Sequence, residues 1–126
     1  MSKLTETILK IRETNSSDES IRDFLDTIEE MYKNDTWVTI PAFRNDKGQQ
    51  FFSSIDLPIG NCVIILSDNK YFRNKFATDM IITSIRKVFD IYFENQDRCC
   101  GIAINPDTDA EMILTKVGID CLNLNI

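Results

Sequence analysis

The spacing of apolar residues predicts two helices in the first third of the chain. Leu4, Ile8 and Ile11 recur at helical intervals, which indicates a short helix over residues 3–13. A second apolar stripe predicts an amphipathic helix over residues 18–33, with Ser17 placed to cap its amino end. The stripe consists of Ile21, Phe24, Leu25, Ile28, Met31 and Tyr32. Residues 1–34 are therefore expected to form an N-terminal helical segment.

From residue 36 onward the pattern changes to short runs of β-branched and aromatic residues. TWVTIPAF and QQFFSSI flank a turn sequence at residues 45–48, which predicts a β-hairpin, and Pro41 places its first strand at a sheet edge or strand end. CVIIL, residues 62–66, is a continuous apolar run typical of a central strand buried on both faces. YFRNKFA, residues 71–77, alternates aromatic and polar residues, so four consecutive antiparallel strands are expected.

The longest helical pattern begins at Thr78, which is placed to cap it. Its wide apolar face predicts one long helix packed across the sheet and consists of Ile81, Ile82, Ile85, Val88, Phe89, Tyr92 and Phe93. GIAIN, residues 101–105, predicts a further strand. Residues 108–118 fit either a short helix, because Thr108 and Glu111 match a capping box, or a strand containing MILT.

Together these elements predict an α+β fold. The expected architecture is a mostly antiparallel sheet of five to six strands, with one long helix packed across it and two N-terminal helices. The length of 126 residues fits one domain over residues 1–126, with an α+β core at 36–126. Hydrophobic residues make up 43% of the chain and charged residues 27%, which excludes an intrinsically disordered protein.

The net charge limits the classes of molecule that are expected to bind this chain. The net charge is −6 and the 14 basic residues are scattered, so nucleic acids and anionic membranes are not expected to bind. Lys70, Arg73 and Lys75 alternate with aromatic residues, but a half-buried strand accounts for that spacing without a nucleic-acid platform. The sequence lacks a secretory signal and any run of about 18 apolar residues, which predicts a cytoplasmic protein.

The residues available for chemistry are few. The chain contains no histidine, so Cys-His and Ser-His catalysis are excluded. Cys62, Cys99, Cys100 and Cys121 form no C-x-x-C pair and are expected to be small buried residues in a reducing compartment. We therefore expect no catalytic residue and no cofactor.

Three short stretches carry a resemblance to a known family. WVTIP, YFRNKFATD and GIAINP resemble the N-terminal domain family of the bacterial SseB proteins, over about residues 36–124. The resemblance implies an extended MILTK segment and a turn or single helical turn near residues 117–122. Asn105 and Pro106 match the family's most recognisable dipeptide and are expected to form a turn at the strand end. The family has no agreed enzymatic activity, so the resemblance implies a fold but no catalytic site.

Asp107, Asp109 and Glu111 follow that turn at alternate positions and are weak candidates for a metal site. Carboxylates are the ligands that Ca²⁺ and Mg²⁺ prefer, so one hypothesis is a small metal-assisted hydrolase that uses these three residues. The segment lacks the glycine and the distal glutamate of a calcium-binding EF-hand loop, and three ligands leave the shell incomplete. We therefore expect a solvated turn without metal.

Trp37, Phe43, Phe51 and Phe52 concentrate aromatic side chains at the predicted hairpin. Core packing would bury most of them, and any that face outward would mark a protein-binding surface. The leading hypothesis is a non-enzymatic bacterial cytoplasmic interaction module that binds an unidentified protein or a second copy of itself. Besides the hydrolase, an acidic immunity or antitoxin-like protein is the alternative, because an acidic surface can mask a basic toxin.

Overall fold

The computed structural model describes residues 1–124, except for the side chain at position 76, so the last two residues of the predicted domain lie outside it. These residues form an α+β fold, as predicted. The helices are α1 (Lys3–Glu13), α2 (Asp18–Lys33), α3 (Ile85–Glu94) and α4 (Lys116–Asp120). The strands are β1 (Trp37–Arg44), β2 (Gln50–Phe52), β3 (Ser54–Leu57), β4 (Gly60–Ile65), β5 (Asp79–Ser84), β6 (Gly101–Ile104) and β7 (Met112–Thr115).

The two N-terminal helices are confirmed. The Ser17 hydroxyl accepts a hydrogen bond from the backbone N–H of Ser20 at 3.2 Å, which caps α2. Ser2 caps α1 in the same way, because its hydroxyl accepts from the N–H of Thr5 at 3.1 Å. Most of both apolar stripes is buried in one core together with residues of the strands, although Leu25 and Met31 are only partly buried and Ile21, in the first turns of α2, is exposed. Helical periodicity was therefore sufficient to place this segment.

The strands form two sheets, so the prediction of one sheet of five to six strands is wrong. The three-stranded sheet has the order β2-β1-β5 and is antiparallel throughout. The four-stranded sheet has the order β3-β4-β6-β7, in which β4 and β6 run parallel. The strand pairing changes at Ser53, since β2 pairs with β1 whereas β3 pairs with β4. Residues 50–57 therefore pass from one sheet to the other at Ser53.

The hairpin and the central strand are confirmed, whereas the position of Pro41 is not. β1 pairs with β2 across the predicted turn, and β4 lies buried between β3 and β6. β1 is the central strand of its sheet rather than an edge strand. The Pro41 carbonyl accepts from the N–H of Ser53 at 3.1 Å, so the missing proline N–H faces Ser53, where the pairing with β2 ends. The missing N–H of Pro41 therefore weakens the hydrogen bonding of this central strand only slightly.

The long helix predicted from Thr78 is wrong over its first turns. Residues 79–84 form β5, and α3 begins only at Ile85, where the Ser84 hydroxyl accepts from the N–H of Arg86 at 3.1 Å. Ile81, Ile82 and Thr83 are β-branched and favour extended backbone, and β1 offers them a free edge to pair with. The apolar spacing of this segment fits both a helix and a strand. Pairing with β1 therefore selected the strand.

The strand predicted for YFRNKFA is also wrong. This segment forms two short 3₁₀ turns, Asn69–Tyr71 and Asn74–Phe76. Both edges of β4 are already paired, with β3 and with β6, so the chain leaves that sheet and crosses to β1. The extended MILT segment and the helical turn after it match β7 and α4. For residues 108–118 the strand interpretation is thus confirmed over MILT.

Candidate functional site

Asn105 is a buried anchor at the end of β6. Its backbone lies in the left-handed region, at φ 51°, and its side chain is completely buried. The side-chain oxygen accepts from the N–H of Ser67 at 2.9 Å, and the amide nitrogen donates to the Ser67 hydroxyl at 2.7 Å and the Ala110 carbonyl at 3.1 Å. The predicted turn is therefore present, and it ties the end of β6 to the end of β4.

The three acidic residues after Pro106 do not converge on a common point. The Asp107 carboxylate pairs with the ammonium of Lys75, whose hydrogen bond and positive charge lower the pKa of Asp107. The Glu111 carboxylate accepts instead from the backbone N–H of Asp107 at 3.4 Å, and Asp109 is exposed. Within residues 1–124, no three His, Cys, Asp or Glu side chains are grouped to hold a metal ion.

Ser67 continues the Asn105 network into a polar cluster that sequence analysis missed. The Ser67 hydroxyl also contacts the hydroxyl of Thr5, which in turn donates to the Asp68 carboxylate. The same carboxylate accepts from the backbone N–H of Ser2 at 3.2 Å. Burial raises the pKa of Asp68, but these hydrogen bonds outweigh it and leave the pKa below its ordinary value. In the sequence, this cluster could have been indicated only by Ser67 and Asp68, two polar residues that directly follow a buried strand.

A cleft of about 750 Å³ lies beside this cluster. Its walls come from the start of α1, the second half of α2, the first residues of β1 and the segment after β4. Lys3 and Glu30 pair at 3.6 Å on its wall, Asp68 contributes a carboxylate, and Trp37 lines one side. Neither Asp107 nor Asp109 lines this cleft. The candidate carboxylates and the cleft are therefore separate features.

The outer face of the three-stranded sheet, which we call the aromatic face, gathers the predicted hairpin aromatics. Residues directly opposite each other on paired strands point to the same side. Trp37 lies opposite Ser84, Thr39 opposite Ile82, Pro41 opposite Met80, and Phe43 opposite Phe51. Alternate residues of β1 therefore share one outer face, about 20 Å long at the usual rise per residue. Thr39 is half-buried and Pro41 is buried on this face, between exposed residues at its two ends.

Large apolar side chains on this face are exposed. The exposed fractions are 72% for Trp37, 44% for Phe43, 53% for Phe51, 44% for Met80 and 70% for Ile82. The structure thus brings together three of the four predicted aromatic residues. Phe52 is on the other side of β2, half-buried against the core. The helix predicted over residues 78–93 does not indicate Met80 and Ile82 as neighbours of these aromatic residues.

The cysteines differ in their accessibility. All four are free thiols, of which Cys62 and Cys99 are buried, Cys100 is half-buried and Cys121 is exposed. The prediction of buried cysteines is therefore correct for two of them and wrong for Cys121. Burial, with smaller effects from Cys99 and Cys100, raises the pKa of the Cys62 thiol to about 11. Cys62 is consequently unsuited to nucleophilic chemistry near neutral pH.

Comparisons with protein-family models, with curated proteins and with solved structures gave no match. The resemblance to the SseB N-terminal domains therefore stays a prediction. Among residues 1–124, none of the helices has both the length and the apolar character required to cross a membrane. Five of the nine exposed large apolar residues in the described part of the chain lie on the aromatic face.

Proposed function

We propose that this chain is a non-enzymatic protein-interaction module that binds its partner through the aromatic face. The observation that carries the proposal is the grouping of five exposed large apolar side chains on one side of one sheet. Exposed apolar residues scattered singly over a surface are ordinary, whereas a contiguous patch marks a binding site.

The area of the patch supports this interpretation. At roughly 200 Å² for a fully exposed large side chain, the five exposed fractions correspond to on the order of 550 Å². This value lies near the upper end of the largest patches found on monomeric proteins, about 300–600 Å². Removing it from water is worth on the order of 10 kcal/mol before the costs of association are subtracted.

The rigidity of the face favours binding as well. The inner side of the same sheet carries Val38 and Ile40, which are buried in the core with Phe24 and Ile28 of α2. Aromatic side chains on such a support lose little conformational freedom when a partner covers them, and they supply large contact areas. The proposed surface is therefore preorganised for binding.

Site-specific photo-crosslinking in cells of the native host tests the proposal. A benzophenone amino acid replaces Phe51 in the test variant and Val117 in the control variant. Val117 is 74% exposed but lies on α4, away from the aromatic face. We expect defined protein adducts from position 51 that position 117 does not give, identified by mass spectrometry.

Identical adduct patterns from both positions, or none from position 51 in a folded protein, would contradict the proposal. The cytoplasmic location is part of this proposal and is read from the fractionation of the same cells. The interpretations as a metal-assisted hydrolase and as an acidic immunity or antitoxin-like protein stay predictions.

A further inference from the structure

The aromatic face carries no charged residue. The side chains that point to this face from β1, β2 and β5 are those of Trp37, Thr39, Pro41, Phe43, Phe51, Met80, Ile82 and Ser84. Pro41 is buried, and Thr39 and Ser84 are half-buried. The interfaces of homodimers are about 65% apolar, whereas those of transient complexes resemble the ordinary protein surface. The composition of this face therefore fits a permanent contact between like chains better than a transient contact with a charged partner.

The distribution of charge along the chain also allows two copies to meet at this face. Residues 36–84 contain the four acidic residues Asp46, Asp56, Asp68 and Asp79 and the five basic residues Arg44, Lys47, Lys70, Arg73 and Lys75. The acidic excess behind the net charge of −6 therefore lies outside this segment, much of it on α2. Two copies that approach through their aromatic faces bring together segments that are close to neutral.

The area is sufficient for a stable dimer. If both copies cover their five exposed side chains, these residues alone remove on the order of 1,100 Å² from water. Specific interfaces need to exceed roughly 1,000 Å² in total, and surrounding residues add to the contact. Two sheets also pack readily face to face, at about 10 Å, with interdigitating side chains.

We infer that the partner on the aromatic face is a second copy of this chain, packed sheet against sheet about a two-fold axis. This inference rests on the proposed function and names its partner. In a two-fold dimer the same patch is used by both copies, so one substitution changes the interface twice. The two copies of Ile82, the most exposed residue of β5 on this face, then become buried in the contact.

Sedimentation equilibrium between about 0.1 and about 100 µM, spanning the usual range of weak to moderate affinities, tests the inference. We expect the wild-type protein to reach twice the chain mass of 14.5 kDa. Ile82→Lys should weaken association at least about 100-fold, because the dimer would have to bury two unpaired ammonium groups. Val117→Lys is the matched control, since Val117 is as exposed as Ile82 and the change in net charge is the same.

Tryptophan fluorescence provides a second readout, because Trp37 is the single tryptophan of the chain. Its emission should shift to shorter wavelength with rising concentration in the wild type and in Val117→Lys, but not in Ile82→Lys. Far-UV circular dichroism of all three proteins checks that they are folded. A wild-type protein that stays at the chain mass at about 100 µM, or equal association of the two lysine variants, overturns the inference.

The two proposals fail separately. If the protein is monomeric but position 51 crosslinks a different protein, the aromatic face binds a foreign partner and only the dimer is refuted. If the protein is monomeric and position 51 gives no specific adduct, both proposals are refuted. An adduct of twice the chain mass from position 51 supports both.

Discussion

Replacing Asn105 by alanine should destabilise the fold by about 4 kcal/mol. The substitution removes three side-chain hydrogen bonds, one from Ser67 N–H and two donated to Ser67 and Ala110, at about 1 kcal/mol each or more when the partner stays buried. It also places alanine at a φ of 51°, which costs about 1 kcal/mol more, because asparagine tolerates the left-handed region better than alanine does.

Asn15→Ala is the matched control for this prediction. Asn15 has a similar φ of 54° but is exposed, so its replacement should cost only the backbone contribution of about 1 kcal/mol. Urea unfolding followed by far-UV circular dichroism gives both free energies, provided that the m-values agree. Our account of Asn105 is refuted if the two variants differ by less than about 1 kcal/mol, since the hydrogen bonds would then contribute little.

Three further predictions concern ionisable groups. Since the pKa of Asp68 is depressed in the folded state, its carboxylate stabilises the fold above the ordinary value of 3.8, and this contribution is lost as the pH falls below that value. Urea unfolding should therefore show a shallower loss of stability between about pH 5 and about pH 3 in Asp68→Asn than in the wild type. A maleimide should modify Cys121 first and Cys62 last, and Cys121→Ser should lack the fast phase by mass spectrometry. About 10 mM Ca²⁺ or Mg²⁺ should leave the melting temperature unchanged, whereas a shift that Asp107→Ala removes would indicate a metal site.

Sequence patterns predicted the elements whose conformation is decided locally. The two N-terminal helices follow from apolar spacing and from hydroxyl caps, which act within one turn of the chain. The hairpin follows from its turn residues, where the Asn45 side chain accepts from the backbone N–H groups of Lys47 and Gln49 at 2.9 Å. β4 follows from a short apolar run rich in β-branched residues, which is typical of a strand covered on both faces.

Residues 79–84 show where local patterns were insufficient. Isoleucines at 81, 82 and 85 satisfy a helical stripe, yet the first two lie in β5 and point to opposite sides of it. The available edge of β1 resolved the ambiguity, and no spacing within residues 79–84 indicates that edge. The same is true of the polar cluster, because Ser2, Thr5 and Asp68 are brought together by the packing of α1 against the end of β4.

The candidate functional site also depends partly on local sequence and partly on tertiary packing. By itself the sequence determined that this chain folds, that it contains no histidine for catalysis, and that four of its aromatic residues lie close to one predicted hairpin. Only the tertiary structure decided which of those residues face outward, because a strand alternates its side chains and a shift of one position would exchange the two faces. The pairing of β1 with β2 and β5 set that register, and it placed Trp37, Phe43 and Phe51 beside Met80 and Ile82 on the exposed side.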